Sequence, residues 1–168
     1  MLDMKTLVLG AVGAALLAAP GSAQIVRHSS GGNAVILEGV SVPAGADTLM
    51  LSGQLASPID SSKRPDSVES FGDTKTQTIS ALNKIKGILA SRGYAMSDII
   101  KMTVFVAADP KRQDGKMDFA GMNEGYRQFF GTPENPNLVA RSTIQVAGLA
   151  GPYYLVEIEV TAAKMAAR

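Results

Sequence analysis

The chain has no cysteine and a single histidine, His28, among its 168 residues. A zinc site of the usual kind therefore has no ligand set, and no histidine pair is available for proton transfer. An excess of one charge is missing too, since 16 Lys and Arg against 15 Asp and Glu leave a net charge of +1. That balance offers no electrostatic footprint for nucleic acid. Lys84, Lys86 and Arg92 read instead as the solvated face of a helix. The apolar stretch over residues 7–18 is about a dozen residues, short of the roughly 20 a membrane-spanning helix needs, so a permanent anchor is the weaker reading.

That stretch follows Lys5 and precedes Pro20-Gly21-Ser22-Ala23, the order of a cleavable export signal. Residues 1–23 are expected to be that signal, with Met1 or Met4 as the start, and residues 24–168 the mature domain. The implied location is the periplasm or the medium, a setting with which the missing cysteine is compatible. With 46% hydrophobic and 18% charged residues, the rest of the chain reads as one globular domain with an ordinary core.

The mature chain alternates patterns in the order strand, strand, helix, strand, helix, strand, strand. Short apolar runs at 34–40 and 48–55 flank a turn at 43–47. A polar loop over 57–72, long enough to be mobile or a lid, leads to Asp73, which caps a helix carrying Ile79, Leu82, Ile85 and Leu89 at helical spacing and ending at Gly93. Residues 98–106 alternate Ile100, Met102, Val104 and Val106 with Lys101, Thr103 and Phe105. Asp118 caps a second helix expected to send Phe119, Met122, Tyr126 and Phe129 toward the core. Two helices cover one face of a sheet. Phe105 on the other face points to burial against a further copy of the protein. His28 falls in an N-terminal stretch expected to be flexible.

The most informative segment is VARSTIQVAGLAGPYYLVEIEVTAA at 139–163. Two alternating strands flank a link, 148–152, rich in glycine and proline, which predicts an antiparallel hairpin. With Ala147 opposite Tyr153, Arg141 falls opposite Glu159 and Thr143 opposite Glu157, so parity places Arg141 and Glu157 on one face. On spacing alone this is either a surface ion pair worth under about 1 kcal/mol or a face that carries chemistry.

LMLSGQL at 49–55, the helix from TQTISALNKIKG, MNEGYRQFFG at 122–131, VARST at 139–143 and LVEIEV at 155–160 together resemble the RidA/YjgF family of reactive intermediate deaminases. The resemblance implies an α+β fold, a single mixed sheet with two helices on one face as in chorismate-mutase-like proteins, and a homotrimer with ligand clefts between subunits. It also implies hydrolysis of 2-imino and 2-enamino acids to 2-ketoacids and ammonia without metal or organic cofactor. Arg141 would clamp the substrate carboxylate and Glu157 position water, with Asn123, Gly53, Thr143 and Ser52 lining the cleft. Glu159 is the rival carboxylate by parity, and Tyr126 reads as core. The chain departs from the family's pattern in three places: GVSVPAGADTLM lacks a tyrosine before the SGQ block, Val139 precedes Ala140-Arg141 where proline is common, and 111–117 looks longer than usual. A non-catalytic trimeric binder of small carboxylates, or a chaperone-like protein, is the alternative; neither reading involves nucleic acid.

Overall fold

The computed structural model describes residues 23–166. The expected export signal therefore lies, but for Ala23, outside the described residues. Strands β1 (Val26–His28) and β2 (Gly39–Ser41) form a small antiparallel ribbon. Then come β3 (Ala46–Leu55), α1 (Thr74–Ser91), β4 (Ile99–Ala107), α2 (Phe119–Tyr126), β5 (Ala140–Val146) and β6 (Val156–Met165). The main sheet has the order β3-β6-β4-β5 and is mixed, because only β4 and β5 run parallel. Both helices pack on one face.

Local chemistry explains where the helices begin and end. The Asp73 carboxylate accepts the Thr76 N–H at 2.8 Å, and Gly93 leaves α1 at φ +75°. Asp118 accepts the Gly121 N–H at 3.0 Å to open α2. The helices approach closely because Gly125 has no side chain; a Cβ there would lie 2.8 Å from Thr78 Cβ and 3.0 Å from the Lys75 carbonyl oxygen. Leu82, Ile85 and Leu89 of α1, with Met122 and Tyr126 of α2, then cover Met102, Val104 and Val106 of β4 and Val156, Ile158 and Val160 of β6. Buried Gln77 ties α1 to the chain entering β6, donating to the Tyr153 carbonyl at 3.0 Å and accepting the Leu155 N–H at 2.8 Å.

Loop 57–72 is fastened at its two ends, by the Ser57 N–H on the Ser80 hydroxyl at 2.9 Å and by Phe71 buried against Tyr154. Three local expectations are corrected. Phe119 does not reach the core but stays 47% exposed at the first turn of α2, while Phe130 is buried instead. His28 is not in a loose segment: it belongs to β1 and hydrogen-bonds the Ser41 hydroxyl at 2.8 Å. The third concerns β5 and β6, which form no hairpin.

Strand β4 lies between them, paired parallel to β5 and antiparallel to β6. A strand, helix, strand unit returns its second strand parallel to the first, so α2 delivers β5 to one edge of β4 and leaves the other to β6. The 148–152 link then crosses the end of β4, where the Ala107 N–H donates to the Leu155 carbonyl at 2.9 Å. The correction reverses the side on which Arg141 sits. Arg141 is in register with Met102, on the helix-covered face, whereas Glu157 is in register with Phe105, on the open face. The Lys101 ammonium reaches the Ser142 hydroxyl at 3.1 Å across that open face, which fixes the alternation of β5 independently.

Candidate functional site

The polar side chains of β5 point toward the helices because the strand lies at the sheet's edge, where the core thins out. There Arg141 is half-buried, with its Nη2 donating to Asn123 Oδ1 at 2.7 Å and its Cζ 4.3 Å from the centroid of the Tyr126 ring. Asn123 and Tyr126 are three residues apart on α2 and so present to one side. Burial pushes the guanidinium below its ordinary pKa, the phenol of Tyr126 opposes that, and Arg127 adds to it. The group nevertheless stays charged. No ion pair to Arg141 occurs among the described residues, so neither Glu157 nor Glu159 neutralises it.

Two atoms of this cluster are buried without a hydrogen-bond partner, Arg141 Nη1 and Thr143 Oγ1. Buried polar groups in native proteins are nearly always paired, and leaving one unpaired costs on the order of 1–3 kcal/mol, more when it is charged. Arg141 and Thr143 project from the same face of β5 about 6.6 Å apart along the strand. A cationic donor and a hydroxyl at that spacing can be bridged by one small anion.

Glu157 is placed by a different feature. The β3–β6 register slips between Leu51 and Gln54, so that Ser52 and Gly53 bulge opposite β6. Gln54 steadies the bulge, its Nε2 donating to the Ser52 carbonyl at 3.0 Å. Gly53 matters for what it lacks, because a Cβ there would lie 1.8 Å from Glu157 Oε1 and 2.6 Å from its Cδ. The carboxylate thus rests in space that only glycine leaves open. Replacing Gly53 with alanine is expected to displace this flexible side chain while the fold survives. In a protein that uses Glu157 to carry protons, turnover should fall about tenfold, with melting temperature within a few degrees. Calorimetry beside a rate measurement checks both.

Of the residues the sequence singles out, Arg141, Asn123 and Thr143 therefore come together, and Glu157, Gly53 and Ser52 form a separate group across the sheet. Glu159 is exposed in register with Thr103 and, with Ser52, Lys101 and Thr161, lines a shallow cavity of about 300 Å³ on the open face. On that face Met50 is 76% exposed and Ile144 47% exposed. Tyr126 is core, as expected, and it also meets Arg141, a contact that strand alternation does not predict. Its position three residues after Asn123 on one helix was the available signal.

A family model described as Endoribonuclease L-PSP matches residues 40–164. The RutC family protein of Pyrococcus horikoshii is 38% identical over 116 residues, 69% of this chain and 79% of that protein. TdcF of Escherichia coli, provisionally named a reactive intermediate deaminase, is 36% identical over 102 residues, 61% of this chain and 72% of its own length. The crystal structure of E. coli TdcF with bound serine superposes with a TM-score of 0.53 at 31% identity, covering 82% of this chain and 92% of that one.

Proposed function

We propose, for a chain that belongs to the RidA/YjgF family described as Endoribonuclease L-PSP, that it hydrolyses 2-imino and 2-enamino acids to 2-ketoacids and ammonia. The observation that carries this reading is the buried Arg141 guanidinium with Nη1 and the neighbouring Thr143 hydroxyl unclaimed. These are donors for one carboxylate, and the serine bound to TdcF is a small carboxylate of the same class. A single half-buried guanidinium with no ion-pair partner among the described residues suits such a ligand better than a polyanion, which is met by a track of exposed cations.

Clamped by its carboxylate, an imino acid presents its electrophilic carbon next to the clamp. Water adds to that carbon, the nitrogen takes up a proton, the C–N bond breaks, and ammonia leaves a ketoacid behind. Glu157 orients the water and moves its protons. Because Glu157 and Arg141 lie on opposite faces of one sheet, the Glu157 serving a given Arg141 comes from an adjoining copy of the chain. Exposed Met50 and Ile144, with half-buried Phe105, are the apolar patches that such an assembly, a homotrimer, would cover. Export ahead of residue 24 belongs to the same proposal and rests on the pattern of Lys5, the apolar stretch and Ala23.

The test is ammonia release from 2-iminopropionate, made in situ by an amino acid oxidase, in the presence of the purified protein. Release faster than spontaneous hydrolysis is expected. Binding of pyruvate without any acceleration would replace this reading with that of a carboxylate-binding protein, which the separation of Arg141 from Glu157 favours if no second copy completes the cleft.

A further inference from the structure

We propose that Tyr126 is the positioning residue for Arg141, a stacked platform that holds the guanidinium flat and aims Nη1 at the ligand; the inference rests on the carboxylate site above but not on turnover. Three contacts meet at this ring. Arg141 Cζ lies 4.3 Å from its centroid. Phe130 stacks on it with centroids 4.8 Å apart and planes 19° from parallel. Phe130 and Arg141 thus both pack on this one ring. The phenol hydroxyl donates to the Val35 carbonyl at 3.2 Å.

Val35 belongs to the segment that flanks β5, where the Leu37 N–H donates to the Val139 carbonyl at 2.9 Å and Leu37 bridges Ala140. The ring is thus held by Phe130, by Arg141 and at its hydroxyl. At 1% exposure it has no room to rotate away. Burial pushes the phenol above its ordinary pKa.

An arginine side chain has many rotamers, and ordering it for each binding event weakens binding. With Nη2 held by Asn123 and one face on an aromatic ring, the guanidinium loses those alternatives before ligand arrives. Nη1 is then both the free donor and the one with a fixed direction. A tyrosine that only filled the core would need no charged group on its face.

Two variants separate the roles. Tyr126→Phe keeps the platform and loses the hydroxyl; Tyr126→Leu keeps an apolar core residue and loses the platform. The affinity for pyruvate, followed by NMR titration, should stay within about threefold of the parent in Tyr126→Phe and fall about tenfold in Tyr126→Leu. For imine turnover the loss in Tyr126→Leu should appear in KM, with kcat nearly kept. Tyr126→Leu folded with unchanged pyruvate affinity would overturn the proposal. Should that variant fail to fold, the parent protein still decides. The Arg141 Nε–H resonance, assigned by its loss in Arg141→Lys, should be shifted upfield by the ring current. An ordinary shift would refute the platform. If pyruvate binds and depends on Tyr126 while no imine is hydrolysed, the platform stands and the deaminase reading falls; if pyruvate does not bind the parent protein, both fall.

Discussion

Arg141→Ala is expected to lower kcat/KM for 2-iminopropionate by on the order of 10³ while the protein stays folded. A hydrogen bond to a charged group contributes about 1.5–3 kcal/mol, and the variant loses both the charge and the unpaired Nη1 donor. A factor of ten corresponds to about 1.4 kcal/mol, so the Nη1 bond at the upper end of that range, with the guanidinium's attraction for the carboxylate added, accounts for the loss. Stability should change little, because the variant also removes a buried donor that has no partner in the unliganded protein. Arg141→Lys should recover only a small part of the rate. An ammonium is a point charge that can neither lie flat on the Tyr126 ring nor hold Asn123 and a carboxylate together as a planar fork does. Steady-state kinetics beside a pyruvate titration checks this, and activity within threefold of the parent in Arg141→Ala would remove this residue from the site.

The second large effect concerns two inactive proteins that work together. Glu157→Gln keeps the shape of the side chain and removes its basicity, so it should lose about 10²-fold in kcat. Mixed with Arg141→Ala in one assembly, it should regain activity. The physical reason is the sheet itself. Arg141 is in register with Met102 toward the helices and Glu157 with Phe105 away from them, so the backbone layer separates the two within one subunit. On the proposed reading, a working cleft takes its arginine from one copy and its glutamate from the next. In a mixed trimer, whether it holds two copies of one variant or of the other, one cleft in three has both groups intact, and about a third of parental activity should return. Co-expression of two differently tagged chains, with mixed assemblies purified through both tags, makes the measurement. Mixed assemblies as inactive as either variant alone would show that the two residues do not serve a common cleft across subunits.

Much of this molecule was decided by short-range rules. Asp73 and Asp118 cap helices because a carboxylate satisfies N–H groups at a helix start wherever it stands, and Gly93 ends α1 because glycine tolerates positive φ. The alternation of β4 placed Met102, Val104 and Val106 in the core and left Phe105 on the other face, as period-two geometry requires. The ordered blocks from Leu49 to Val160 pointed to the family, and they singled out Arg141, Asn123 and Thr143, which the fold brings together. Which strand lies next to which is another matter. The turn residues at 148–152 suit a hairpin and suit equally a link across the end of β4, and nothing local distinguishes them. Alternation says that Arg141 and Thr143 share one face of β5, and that Glu157 and Glu159 share one face of β6, but not which of the two faces of the sheet each pair takes. That sign was set by the crossover through α2, which inserted β4 between the two strands and turned Arg141 onto Tyr126. Sequence determined the parity within each strand because parity follows from the backbone's own repeat, whereas relative orientation is a long-range property that only the assembled sheet decides.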